Sequence, residues 1–178
     1  MDRETQLRVV GASAYAMVLG GVVGYERELK NRPAGFRTHM LVAGAAALLI
    51  GIGRMAVFDP AMPQDSISID PLRIVEAVVA GVAFIGAGTI FGRRGSGDRV
   101  EGIATAATLL MVAVIGIFAG FRYFWMATAA TAVTMTVLTL LNVVEKLLGR
   151  NKKNGFARKS NEASGSERPV DDRPERDG

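Results

Sequence analysis

The strongest constraint on this chain is a succession of apolar runs, each about as long as a bilayer is thick. A helix crossing the hydrocarbon core needs roughly 20 mostly apolar residues. Five stretches meet that condition: Val9 to Tyr25, Met40 to Phe58, Ile74 to Gly92, Gly102 to Phe121 and Tyr123 to Val144. The last two are the cleanest, with only Arg122 between them and Phe121, Tyr123, Phe124 and Trp125 clustered as at a membrane interface. A soluble helical bundle would show a polar face every turn, and these two runs offer only threonine, alanine and other uncharged residues there. The expected fold class is therefore an all-α membrane protein with about five transmembrane helices.

The first run is long and flows into the charged segment Glu26 to Lys30 without a small-residue cleavage site, so it is expected to be retained rather than removed as a signal peptide. Mean hydropathy is +0.26 despite a very polar end. Residues 150–178 mix Lys, Arg, Glu, Asp, Ser, Gly and Pro and hold too little apolar surface to offset the entropy of ordering. Residues 1–149 are thus expected to form the transmembrane domain, followed by a disordered cytoplasmic tail.

Lysine and arginine set the orientation. Arg27, Lys30, Arg32 and Arg37 fall between the first two runs, Arg93, Arg94 and Arg99 between the third and fourth, and six basic residues lie from Lys146 to Lys159. Arg3, Arg8, Arg54, Arg73 and Arg122 are scattered singly on the other side, at helix ends where they can snorkel. The bias places the N-terminus outside and the C-terminus in the cytoplasm. It also makes anionic lipid, rather than nucleic acid, the expected partner of a chain with net charge +4.

Several chemistries lack their residues. There is no cysteine and one histidine, which starves thiol catalysis and Cys/His zinc sites. No Ser/His pair or acid–base pair lies at membrane depth, so no enzyme activity and no cofactor are expected. The glycine-rich segment Gly81 to Gly92 lacks both GxGxxG spacing and a following lysine, which favours helix packing over phosphate binding. Glycine pairs four apart at Gly20/Gly24, Gly88/Gly92 and Gly116/Gly120 are packing signals. Thr105, Thr108, Thr128, Thr131, Thr134, Thr136 and Thr139 are expected to bond helix backbones.

Asp70 followed by Pro71 marks a helix start. Arg73 and Glu76, three apart, are expected to pair at the membrane edge, with an ion-pathway carboxylate at Glu76 as the alternative. The densest ionic segment is GGVVGYERELKNRPAGFRTHMLV, residues 20 to 42. Glu26 and Lys30 can pair on a continuing helix, leaving Arg27, Glu28, Arg32 and Arg37 to bridge neighbouring loops as a structural clamp or to bind an anionic group. His39 alone is a weak metal ligand.

That segment, with GxxGxERE followed by PAGFRTHMLV, resembles the signature of the MgtC/SapB family of bacterial inner-membrane proteins. Asp70, Pro71, Arg73 and Ile74 leading to FIGAGTIF at residues 84–91 look like the family's third helix, and GIATAATL at residues 102–109 like its fourth. The resemblance covers residues 10–145 in order. It implies a five-helix inner-membrane domain tied to magnesium homeostasis, to growth in low magnesium and, in some pathogens, to survival in host cells. It further implies action by binding other membrane proteins, the ATP synthase among them, with an oligomeric transporter of Mg²⁺ or another small solute as the alternative. Motif by motif it carries over Glu26, Arg27, Glu28, Arg37, Thr38, Asp70, Arg73, Gly86, Gly88, Thr105 and Thr108. Two departures stand out: Ala77, Ala80 and Ala104 occupy positions where the family tends to be polar, and a short polar tail stands where many relatives continue into a folded cytoplasmic domain.

Overall fold

In a computed structural model of the chain, residues 3–57, 70–91 and 102–140 are described. They form helices α1 (Arg3–Leu29), α2 (Phe36–Val57), α3 (Pro71–Phe91) and α4 (Ile103–Gly120), followed by α5 (Phe124–Leu140), and contain no strand. The first four are long and apolar enough to span a bilayer, and α5 is a shorter apolar helix within the described residues. The chain divides into two compact units, Met1–Met135 and Thr136–Gly178. Of the second, only the last turn or so of α5 is described. The expected boundary at 149/150 and the tail lie outside the described residues, as does Gly92.

Helix ends follow from local chemistry. Asp70 accepts the Leu72 amide on its side chain at 2.9 Å, and its carbonyl accepts the Arg73 amide at 3.1 Å, so the Asp-Pro start of α3 is as expected. α1, in contrast, does not stop where the charges begin. Glu, Arg and Leu are good helix formers, and the helix carries through Glu26, Arg27 and Glu28 to Leu29. The segment between the two apolar runs, residues 26–39, thus contracts to a connection over residues 30–35.

The stop is a Schellman motif. Asn31 takes a left-handed φ of 52°, its amide donates to the Glu28 carbonyl at 2.9 Å, and the Arg32 amide reaches back to the Arg27 carbonyl at 3.1 Å. Pro33 cannot resume the helix. The same geometry ends α4, where Arg122 has φ 69° and Tyr123 N–H bonds the Phe118 carbonyl at 2.8 Å.

Within the first unit, α1 runs antiparallel to α2, and α4 runs parallel to α2. Glycine permits both close approaches. A Cβ on Gly20 would stand 2.6 Å from the His39 carbonyl oxygen, and one on Gly24 2.8 Å from the Cα of Phe36. On α4, a Cβ at Gly116 would meet the Ala43 carbonyl, and one at Gly120 would come within 2.7 Å of Ile50 Cβ. The core is consequently built of small residues and a few larger ones, with Ala16, Ala43, Ala47, Ile50, Leu109, Val112 and Ile115 at or near zero exposure.

α3 behaves differently. Its buried residues are Val78, Val82 and Gly86, with Gly86 set close to Ala106 of α4. Gly81 and Gly88 face open space. The packing role expected of Gly88 is thus not realised within the described residues, whereas Gly20, Gly24, Gly116 and Gly120 fill theirs.

Candidate functional site

The antiparallel and parallel crossings bring the C-terminal end of α1, the N-terminal ends of α2 and α4 and the C-terminal end of α3 to one end of the first unit. At the other end Arg54, Pro71 and Phe121 line a small cavity. The family-signature residues of α1, α2 and α4 gather at the first end, which contains a buried polar cluster, while Asp70 and Arg73 lie at the other.

Arg27 is its centre. The sequence leaves this side chain free for neighbouring loops; the structure turns it inward, 4% exposed, where Nη2 donates to Thr105 Oγ1 at 2.8 Å. The reason is helical phase: Ala16, Gly20, Val23, Gly24 and Arg27 lie at three- and four-residue intervals on the buried face of α1. Its Nε is buried without a hydrogen-bond partner among the described residues. Thr105 and Thr108 sit one turn apart on α4, and Thr108 Oγ1 donates to the Thr105 carbonyl at 2.9 Å.

His39 completes the cluster. It is fully buried, and because a carbonyl can only accept, its Nδ1–H donates to Gly35 O at 2.8 Å. Nε2 then faces Thr108 Oγ1 at 3.5 Å. Its Cβ packs where Gly24 lacks a side chain. Sequence reasoning weighed His39 only as a metal ligand and missed this role; the signal was its four-residue spacing from Gly35 at the start of a helix. Ser13, also missed, donates to the Gly44 carbonyl at 3.1 Å and adds a buried α1–α2 tie.

The remaining ionic residues clamp the turn. Glu26 pairs with Lys30 as expected. Glu28 is exposed and accepts the Phe36 amide on Oε2 at 2.8 Å, capping the start of α2 across the turn. Arg37 is exposed, and Thr38 is half-buried. Asp70, Arg73 and Glu76 lie at the opposite end of the unit, all exposed. Arg73 and Glu76 form no ion pair, contrary to expectation; among the described residues the ion pairs are Glu4–Arg8 and Glu26–Lys30. A salt bridge between two exposed long side chains gains little against the entropy of fixing them.

The threonines of α5 divide as helix glue predicts. Thr128, Thr131 and Thr134 each donate to the backbone carbonyl four residues earlier, at 2.8, 2.8 and 2.7 Å. Tyr15 OH also lies 2.6 Å from Thr128 Oγ1 and its ring meets Phe124 edge-on, joining α1 to the first turn of α5. Among the described residues, no three His, Asp or Glu side chains gather as a metal site.

A sealed helical core with a buried guanidinium at one end, four bilayer-length helices and broad apolar exposure define a multi-pass membrane protein. The MgtC family profile matches residues 14–147, and the chain belongs to that family. It is 40% identical over 107 residues to Protein MgtC of Brucella abortus, covering 60% of this chain and 40% of that one. It is 36% identical over 110 residues to Protein SapB of Bacillus subtilis, covering 61% and 46%. YhiD of Escherichia coli K12, provisionally named a magnesium transporter, is 36% identical over 105 residues, covering 59% and 47%. The matched region thus spans less than half the length of these curated relatives. No solved structure matches the chain significantly.

Proposed function

We propose that this protein is a non-enzymatic bacterial inner-membrane protein that supports magnesium and ion homeostasis, and adaptation to low magnesium, by acting on other membrane proteins. The observation that carries this reading is the contrast between its polar and apolar groups. Two polar side chains of the family signature are engaged inside the unit, Arg27 on Thr105 and His39 on Gly35, and small-residue packing closes α1, α2 and α4 on one another. The outer face of α3 is apolar and open: Phe84 is 82% exposed, and Gly81 and Gly88 have nothing near them. Small residues beside a large one let a foreign helix approach closely.

Family resemblance makes the ATP synthase one candidate partner. The names of relatives MgtC and YhiD support the link to magnesium. The name of YhiD also favours a second reading, an oligomeric Mg²⁺ transporter, for which hard oxygen ligands would have to converge between protomers.

The test combines growth and contact. A photo-crosslinking residue at Phe84 is expected to capture one membrane protein reproducibly in magnesium-starved cells. Gly81→Leu, which fills the open face without touching the core, is expected to lose both that capture and rescue of a deletion strain in low magnesium. Full rescue by Gly81→Leu would overturn the reading, and magnesium flux through the purified protein in proteoliposomes would establish transport instead.

A further inference from the structure

We infer that the groove beside the α1–α2 turn is a binding site for one anionic phospholipid of the cytoplasmic leaflet. The groove has a volume of about 560 Å³ and is walled by α1 from Val18 to Leu29, by Phe36 and Met40 of α2 and by Met135 of α5. That volume lies within the range of small-molecule sites, roughly 300–1,000 Å³. Its lining is apolar apart from Glu26, and its floor lies where Gly21 has no side chain.

Its length identifies the kind of occupant. Leu29 lies eleven positions beyond Val18 on α1, a rise of about 16 Å at 1.5 Å per residue. Half of a hydrocarbon core roughly 30 Å thick is one leaflet. The groove therefore runs from the level of a headgroup to about the bilayer midplane, the reach of an acyl chain entering from one side.

The charge at its polar end identifies the headgroup. Residues 26–37 carry Arg27, Lys30, Arg32 and Arg37 against Glu26 and Glu28. Both carboxylates are engaged within the protein, Glu26 by Lys30 and Glu28 by the Phe36 amide. Arg27 is turned into the core. Arg32, in the turn, and Arg37, next in sequence to the groove-lining Phe36, are left exposed with no carboxylate in ion-pair range among the described residues. Guanidinium is the side chain best shaped for a phosphodiester. The bias of basic residues puts this end in the cytoplasm, where the leaflet is anionic.

Native mass spectrometry of the full-length protein, delipidated and offered equal amounts of phosphatidylglycerol and phosphatidylcholine, tests the assignment. The wild type is expected to retain phosphatidylglycerol with about thirtyfold preference, the scale of two basic groups at a membrane surface. Arg32→Gln combined with Arg37→Gln is expected to bring the ratio close to one while some lipid is still retained. Val22→Trp fills the groove at an exposed position and is expected to abolish retention of both lipids, with helix content by circular dichroism unchanged. Equal retention of the two lipids by the wild type, an unchanged ratio in the double variant or full retention by Val22→Trp would each overturn the site. So would crosslinking of a probe at Val22 to residues 141–178 of the same chain, since the groove would then be filled from within. None of these readouts depends on growth in low magnesium or on the α3 face.

Discussion

The α1–α2–α4 core and helix α3 are made of similar residues and are used in opposite ways. Both are rich in glycine, alanine and valine, and both are apolar enough to span a bilayer. In the core, every glycine of the Gly20/Gly24 and Gly116/Gly120 pairs lies against a neighbouring backbone or alanine, and the buried polar groups are tied across helices. In α3, the small residues Gly81 and Gly88 lie against nothing, and the polar pair Arg73 and Glu76 is exposed and unbridged. Composition sets the capacity for close packing; the arrangement of helices decides which small residues use it.

The comparison breaks most visibly at glycine. Gly116→Leu would drive its side chain into the Ala43 carbonyl and the Ala46 methyl. It is expected to cost about 3 kcal/mol, since backbone on both sides must move. Gly88→Leu on α3 is expected to stay within about 0.5 kcal/mol, the scale of surface substitutions. Equilibrium unfolding in mixed micelles measures both, and equal effects would dissolve the distinction between the two regions.

A smaller effect is expected at the buried polar cluster. Thr105→Val keeps the volume and removes the acceptor of Arg27 Nη2, leaving a buried guanidinium without that bond. The expected loss is about 1–2 kcal/mol, between the mean for interhelical bonds in membranes and the cost of orphaning a buried polar group. A loss near zero in the same unfolding assay would show that Arg27 finds another acceptor.

Next comes the cap across the turn. Glu28→Ala removes the acceptor of the Phe36 amide and is expected to destabilise by about 1 kcal/mol, the usual scale of a lost helix cap. Backbone hydrogen exchange at Phe36 would localise the effect to the start of α2. Smallest of all, Arg73→Gln and Glu76→Gln are each expected to change stability by less than about 0.5 kcal/mol. A double-mutant cycle with a coupling well above that would show that they pair in the membrane after all.

Much of the framework was legible in the sequence. The long apolar runs located the first four helices to within about six residues at each end, because the bilayer tolerates little else at that length. Asp70-Pro71 gave the start of α3, and the four-residue spacing of Glu26 and Lys30 gave their ion pair. The family signature pointed to Arg27, Thr105 and Thr108 without showing how they meet. What was misjudged is equally specific: Arg27 was left outside the core, and Arg73 was joined to Glu76.

By itself, then, the sequence determined that the chain crosses a membrane several times, where its helices lie and which family motifs it carries, because hydropathy, caps and short-range spacing act along a single segment. Only the tertiary structure decided that Arg27 of α1 meets Thr105 of α4, 78 residues away, and that His39 is set between Gly35 and Thr108. It also decided that the glycines of α1 and α4 are covered and two of those on α3 open. Such facts depend on how the helices rotate and cross, and no periodicity within one helix specifies the phase of its neighbour.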